Sequence, residues 1–235
     1  MTAPDPALLP SPSRTVLPPA MRRALVSAFS LLAFTLAFTF FMAFTYEMTR
    51  ERIGKAAAEQ KMRLIAETLP GLRYDNALLE DVLEVENGAG GRVGKIWRAR
   101  NAGAPVALVL ETFAPDGYGG RIDLIVSLDN AGRIGGVRVA AHHETPGLGD
   151  YIDPAKDRKK ENLWISQFIG ADAAAPARQW EVKKDGGSFD YRAGATVSAR
   201  AVTRAVARAA IWANTHREAL FAAPAGKRLK AGQEE

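Results

Sequence analysis

The chain has 235 residues, with 31 Lys and Arg, 26 Asp and Glu, three His and no Cys, and its formal net charge is +5. Hydrophobic residues make up 47% and charged residues 24%, close to the averages of globular proteins, which excludes wholesale disorder. The lack of Cys excludes a disulfide framework, thiolate metal sites and a Cys nucleophile, and three His are few for a His-rich metal site.

A Pro-rich segment and a long apolar run begin the chain. Residues 1–23 are predicted to form a flexible tail. Residues 24–46 carry no charge and hold six of the ten Phe. As a helix this run would reach roughly 34 Å, enough to cross a hydrocarbon core of about 30 Å. A buried core helix or a signal peptide is usually shorter, and no small-x-small cleavage site follows, so we predict an uncleaved transmembrane helix.

Basic residues flank the predicted transmembrane helix on both sides. Arg22 and Arg23 abut its start and favour a cytoplasmic N-terminus. Arg50, Arg52 and Lys55 follow its end, so the charges alone leave the orientation open.

Helical spacing continues beyond the predicted transmembrane helix. Met62, Ile65, Ala66 and Leu69 fall on one stripe, and Pro70-Gly71 is a helix stop. We therefore predict a helical stalk over residues 47–71.

Three β-rich runs follow the predicted stalk. They span residues 105–113, 121–128 and 133–140, with turns predicted at 115–117 and 129–132. The second run alternates, with one apolar face made of Ile122, Leu124, Val126 and Leu128. This pattern predicts an antiparallel meander with one covered face.

Further elements complete a predicted α+β domain from residue 72 to 220, followed by a charged tail over 221–235. We expect a short helix at 163–169, a strand at 180–183 and a long helix at 197–220. The long helix has an apolar stripe made of Val202, Val206, Ala209 and Ala213. Another of its faces carries Arg200, Arg204 and Arg208.

The first candidate site is the sequence DYRAGATVS, residues 190–198, which opens the long helix. A helix N-terminus offers unpaired N–H groups and the positive end of the dipole, which favour a phosphate. Gly194 permits close approach of a ligand, and Thr196 places a hydroxyl there. The same residues are typical of a helix cap at Thr196 or Ser198, so both interpretations stay open.

Two further segments are candidates. HHETPGLGD, residues 142–150, directly follows a predicted strand, where ligand loops often lie, although the residues by themselves favour a plain turn. Its adjacent His142 and His143 would point to opposite sides of an extended chain and form a poor metal pair. KKDGG, residues 183–187, is typical of a solvated turn, although its Lys side chains would also favour a nearby phosphate.

Other functional patterns are missing from the sequence. It contains neither a phosphate-binding G-x-x-x-x-G-K-[ST] loop nor a dinucleotide-binding G-x-G-x-x-G turn between a strand and a helix. No nucleophile elbow surrounds Ser188. The basic residues are dispersed, so we do not predict nucleic-acid binding.

Taken together, these segments resemble one protein family. The N-terminal apolar run, the sequence APDGYGGRIDLIV (114–126), HHETPGLGD, and VKKDGGSFDYRAGATVSARAV (182–202) occur in this order in the G subunits of Rnf (or Rsx) ion-translocating electron-transport complexes. More distantly, the chain is similar to the C subunit of the sodium-pumping NADH:quinone reductase.

The resemblance implies a covalently bound FMN. Family members carry FMN through its phosphate on a Thr of a D-x-x-[ST]-G-A-T signature, attached by a flavin transferase. Asp190, Gly194 and Ala195 match that signature, and Thr196 is the implied acceptor. Ala193 departs from the usual Ser or Thr.

The resemblance also implies the surroundings of the cofactor. Ser198 follows the acceptor where a hydroxyl residue is common, and Lys184 is an expected phosphate neighbour. The expected wall of the flavin site consists of Glu144, Thr145, Leu148 and Gly149. No catalytic acid or base and no metal ligand is expected, because the chemistry is electron transfer.

The implied function is that of an electron-carrying subunit in a complex that couples ferredoxin–NAD redox chemistry to ion movement. Its implied partners are the other subunits of the complex, the transferase and membrane lipid. The family places the N-terminus in the cytoplasm and the soluble domain on the periplasmic side of the inner membrane. The alternatives are a membrane-anchored FMN-binding regulatory or adaptor module, and a structural anchor without a cofactor.

Overall fold

The computed structural model describes residues 18–91 and 93–230, and the chain divides into two compact units at Ala57 and Ala58. The first unit consists, in its described part, of most of one helix. The second unit contains a sheet and the remaining helices.

Helix α1 (Pro19–Glu67) is 49 residues long and continuous. Within the described ranges it is the one helix long and apolar enough to span a membrane, and its most apolar window, with a mean hydropathy of 2.1, has no buried residue. This exposure argues against a buried core helix. Hydroxyls along the apolar part of this helix are satisfied locally: Thr35 donates to the carbonyl of Leu31 at 2.8 Å and Thr45 to that of Phe41 at 2.8 Å. Such bonds make hydroxyls tolerable in hydrocarbon.

The second unit is built on a six-stranded sheet with the strand order β5-β4-β3-β2-β1-β6. The strands are β1 (Val82–Asn87), β2 (Val93–Asn101), β3 (Ala104–Gly117), β4 (Gly120–Asp129), β5 (Ile134–Ala141) and β6 (Arg228–Lys230). A four-residue helix α2 (Gly88–Gly91) joins the first two strands. Neighbouring strands are antiparallel except β1 and β6, which are parallel, so the sheet is mixed.

The predicted meander is confirmed as β3, β4 and β5, but its first turn lies further along the chain. We expected the turn at 115–117, whereas β3 continues to Gly117 and the chain turns at Tyr118-Gly119. Pro115 is tolerated in the strand because the β3–β4 register is irregular between Ala114 and Gly117, where no regular ladder bond needs a Pro N–H.

Helix α3 (Thr196–Thr215) packs on one face of the sheet. Its predicted apolar stripe is confirmed, because Val202, Val206, Ala209 and Ala213 are all buried in the larger hydrophobic cluster. The helix is shorter than predicted. It ends before His216, whose ring stacks on Trp212 with 4.6 Å between centroids, and α4 (Arg217–Ala222) follows.

The other face of the sheet is also covered, so the prediction of a single covered face is wrong. Ile65 and Leu69 join a second cluster with Trp97, Val109 and Ile125. The stripe predicted for the helical stalk is partly corrected, because Ala66 is exposed and Thr68 is buried instead. The carbonyl of Thr68 accepts a hydrogen bond from the Ser127 hydroxyl. The compact unit therefore begins at Ala58.

The segments between β5 and α3 are short 3₁₀ helices at Gly149–Ile152, Trp164–Phe168, Ala177–Trp180 and Lys183–Asp185. The short helix expected at 163–169 is confirmed in this tighter form. The strand expected at 180–183 is wrong, because Val182 makes only an isolated bridge with Phe189 while its carbonyl accepts the N–H groups of Asp185 and Gly187. These local hydrogen bonds fold the chain into a turn, whereas a strand would need hydrogen bonds to a neighbouring strand.

Candidate functional site

A cavity of about 210 Å³ lies where the β3–β4 turn, the loop after β5 and the first turn of α3 meet. Its walls are formed by Tyr118, Glu144, Thr145, Leu148, Gly149, Gly194, Ala195, Val197 and Ser198. Two segments that the sequence analysis singled out, 142–150 and 190–198, thus meet at one place.

Thr196 is the first residue of α3, and Ala195 occupies the N-cap position without a side-chain cap. Within residues 18–91 and 93–230, the half-buried Thr196 side chain has no hydrogen-bond partner. The Ser198 hydroxyl donates to Glu144 instead of capping the helix. The capping explanation therefore does not hold for either hydroxyl. The open N-terminus keeps its positive dipole end and its backbone donors for an anion.

Glu144 is the polar centre of the cavity and is only 4% exposed. One carboxylate oxygen accepts the N–H of Gly119 at 3.0 Å and the other accepts the Ser198 hydroxyl. A Cβ on Gly149 would lie 2.5 Å from a Glu144 oxygen, and one on Gly117 would lie 2.6 Å from the other. The carboxylate is thus enclosed by backbone that leaves no room for a side chain.

His142 orders the loop that carries Glu144. Its Nδ1 accepts the N–H of Glu144 at 3.1 Å, which keeps this nitrogen unprotonated. Burial lowers the pKa of His142 below its ordinary value, and the neighbouring Lys156 lowers it further. The imidazole is therefore neutral at neutral pH. His143 is exposed, so the two His side chains do not act together.

Three predicted site residues do not line the cavity: Thr196, which lies in the chain between the lining residues Ala195 and Val197, and Asp190 and Lys184. The exposed Asp190 carboxylate pairs with Lys183 at 2.5 Å, and Lys184 is exposed. The backbone of Asp190 is bound by two side chains: Trp164 donates to its carbonyl, and Gln167 accepts its N–H.

Sequence reasoning missed Tyr118 and Val197 as cavity residues. Tyr118 is 74% exposed and Val197 is 43% exposed, and with Leu148 they give the cavity an apolar rim. A signal was available for Tyr118, because a single aromatic residue among three Gly in a turn has no core to fill.

Comparison with known protein families identifies both units. A sequence model of the FMN-binding domain matches residues 117–211, which include every residue of the cavity wall. A model of the RnfG N-terminal region matches residues 20–68.

Similar proteins extend this match over most of the chain. A protein of Escherichia coli O157:H7 is 43% identical over 183 residues, which cover 76% of this chain and 85% of that protein. One of Cronobacter sakazakii is 41% identical over 188 residues, covering 79% and 88%. One of Shewanella baltica is 38% identical over 202 residues, covering 84% and 93%. All three bear the name of the G subunit of an ion-translocating oxidoreductase complex.

Proposed function

This chain belongs to the family of G subunits of ion-translocating oxidoreductase complexes, and we propose that Thr196 carries its FMN through a phosphoester bond. The chain is a membrane-anchored flavoprotein subunit that transfers electrons in such a complex. One observation carries the proposed attachment: an uncapped helix N-terminus presents a Thr hydroxyl with no partner among the described residues, beside an apolar-rimmed cavity.

The residues present fit a bound FMN. A phosphodiester at Thr196 keeps one negative charge, which a helix N-terminus favours by about 0.3–1 kcal/mol when exposed. Tyr118, Leu148 and Val197 offer an apolar surface to a flat ring. Pockets that enclose a ligand of this size usually have volumes of about 300–1,000 Å³, so a cavity of about 210 Å³ encloses only part of it. Covalent attachment would therefore retain the cofactor.

Bound FMN supplies one- and two-electron redox chemistry, and the side chains bind and orient it. We propose that the loop residues Glu144, Thr145, Leu148 and Gly149 form one wall, and that Gly194, Ala195 and Ser198 form the other. Asp190 and Lys184 lie outside the cavity. We propose that Asp190 shapes residues 190–195, the acceptor segment that precedes Thr196, and that Lys184 adds positive charge on the exposed side of this segment.

We further propose that the second unit is periplasmic and the N-terminus cytoplasmic, at the inner membrane. Arg22 and Arg23 at the start of the apolar run support this orientation. The proposed partners are the other subunits of the complex, a flavin transferase during maturation and the surrounding lipid. Within the complex, the flavin would pass electrons on a route linked to ferredoxin and NAD.

The attachment is tested by coexpressing the full chain with a flavin transferase and recording ultraviolet fluorescence of the band on a denaturing gel. We expect a fluorescent wild-type band, a dark Thr196→Ala band and a fluorescent Ser198→Ala band. The last variant is the matched control, because it removes the other hydroxyl of the same helical turn. Fluorescence that persists in Thr196→Ala would refute the attachment site. A dark wild-type band that becomes fluorescent in Ala193→Thr would instead show that Ala193 limits the transferase.

A further inference from the structure

We propose that Tyr151, Trp164 and Gln167 are positioning residues that hold the backbone before Thr196 and thereby fix the orientation of the flavin. This inference rests on the proposed attachment of FMN to Thr196. The acceptor segment, residues 190–195, lies directly before Thr196. Of the three proposed positioning residues, none lines the cavity.

The start of the acceptor segment is held by two side chains of one 3₁₀ helix, Trp164–Phe168. Trp164 Nε1 donates to the carbonyl of Asp190 at 2.6 Å. Gln167 Oε1 accepts the N–H of Asp190 at 2.6 Å. Both backbone groups of Asp190 are therefore bound by side chains whose own backbone lies in another element.

The end of the acceptor segment is held by Tyr151. The Tyr151 hydroxyl donates to the carbonyl of Ala195 at 3.2 Å and accepts the N–H of Arg192 at 3.3 Å. The Arg192 guanidinium lies over the same ring, 4.5 Å from its centroid. One phenol thus connects two points of the segment, and one of them is the N-cap residue that precedes Thr196.

The positioning residues are themselves fixed by the core. Tyr151 is 2% exposed and Trp164 is 6% exposed, and their rings meet edge to face with 5.4 Å between centroids. The buried carboxylate of Asp157 accepts the N–H of Trp164 at 2.9 Å and pairs with Arg192. Burial would raise the pKa of Asp157, but hydrogen bonds from Trp164 and Lys159 N–H groups and from Arg192 hold it below its usual range. The pair therefore stays charged at neutral pH.

Hydrogen bonds, more than packing, hold the middle of the acceptor segment. Ala193 and Gly194 are exposed, Gly194 has a φ of +85°, and a Cβ there would meet nothing within 4 Å. Ala195 is buried in the larger hydrophobic cluster, so losing the bonds to Tyr151 would mainly shift the exposed residues Ala193 and Gly194 and, through them, the backbone that leads to Thr196. The flavin would then move with its point of attachment.

The test compares Tyr151→Phe with wild type in the full FMN-loaded chain. This variant keeps the ring and removes only the hydroxyl. Tyr74→Phe is the matched control, because Tyr74 packs against the cluster on the other face of the sheet. The readouts are the flavin fluorescence anisotropy, the quenching of that fluorescence by iodide, the visible circular dichroism and the midpoint potential. The extent of covalent loading and the melting temperature are recorded for each variant.

We expect Tyr151→Phe to load with FMN but to show lower anisotropy, stronger iodide quenching and a shifted midpoint potential, whereas Tyr74→Phe matches wild type. A loaded and folded Tyr151→Phe chain that equals wild type in all four flavin readouts would overturn the positioning role. Where Tyr151→Phe fails to fold, Gln167→Leu decides the question on the same readouts. If wild type carried no covalent flavin, the proposed attachment itself would fail. The denaturing gel separates this outcome from a loaded Tyr151→Phe chain whose four flavin readouts equal those of wild type.

Discussion

Glu144 accepts a hydrogen bond from the hydroxyl of Ser198, 54 positions further along the chain. The same carboxylate accepts the N–H of Gly119 in the β3–β4 turn. One buried side chain therefore ties together the three segments that enclose the cavity. Because Ser198 is only 1% exposed, its hydroxyl depends on this carboxylate for a hydrogen bond.

Glu144→Ala is expected to lower the free energy of unfolding by about 1–3 kcal/mol, because it leaves the buried Ser198 hydroxyl without its partner and removes the hydrogen bond from the N–H of Gly119 in the exposed turn. It should also shift the potential and absorption spectrum of the flavin. Denaturation in urea and a redox titration of the loaded chain measure the two effects. Glu161→Ala, at an exposed carboxylate, is the control. Unchanged flavin properties in a folded Glu144→Ala chain would remove the loop from the site.

Gly119→Ala is expected to destabilise the fold by about 1–3 kcal/mol through overpacking. The new Cβ would lie 1.9 Å from the carbonyl oxygen of His143, so the turn and the loop would have to separate. Gly94→Ala is the matched control, since nothing lies within 4 Å of its Cβ position. Thermal unfolding of both variants tests the close approach. Equal melting temperatures would contradict it.

Asp157 is expected to make stability depend on pH. Its pKa is lower in the folded state than its ordinary value of 3.8, so the unfolded chain binds the proton more tightly. The stabilisation is complete well above the ordinary value of 3.8, and it is lost as the pH falls from there through the folded pKa. Urea unfolding at pH 7 should give wild type a clearly higher free energy of unfolding than Asp157→Asn. At pH 3 the difference between the two free energies should be smaller. A gap that is the same at both pH values would contradict this.

Arg98 is expected to stabilise the domain without affecting the cofactor. It is 2% exposed, pairs with Asp81, and donates to the carbonyls of Leu220, Phe221 and Ala223 at the end of α4. Arg98→Met should lower the free energy of unfolding by about 2–4 kcal/mol, because the carbonyls of Leu220 and Ala223 lose this donor, whereas Arg100 still donates to Asp81 and to the Phe221 carbonyl. Flavin loading of the folded fraction should stay at the wild-type level. Arg73→Met, at an exposed site, is the control for the loss of charge.

The proposed orientation predicts which side of the membrane each end of the chain faces. The chain has no Cys, so an introduced Cys is its single thiol. Lys160→Cys should react with a membrane-impermeant maleimide in cells whose outer membrane is permeabilised, and Ser13→Cys should react only after lysis. The reverse pattern would place the second unit in the cytoplasm.

Local patterns predicted the elements whose residues interact along the chain. The charge-free run 24–46, the meander of β3 to β5 and the apolar stripe of α3 each follow from periodicity or length. The strands β1, β2 and β6 were not found. β2 is covered on both faces and does not alternate, and β6 has three residues that pair with β1 across 144 positions.

The sequence by itself determined that an amphipathic helix begins close to Thr196 and that a Gly-rich loop follows a strand at 142–150. Both features are encoded by residues close to one another in the chain. Only the tertiary structure decided that Ser198 turns to Glu144, that Tyr118 reaches the cavity while Lys184 does not, and that Tyr151 holds Ala195. The reason is physical: contacts between distant segments depend on how the sheet and α3 pack, and no local periodicity records that packing.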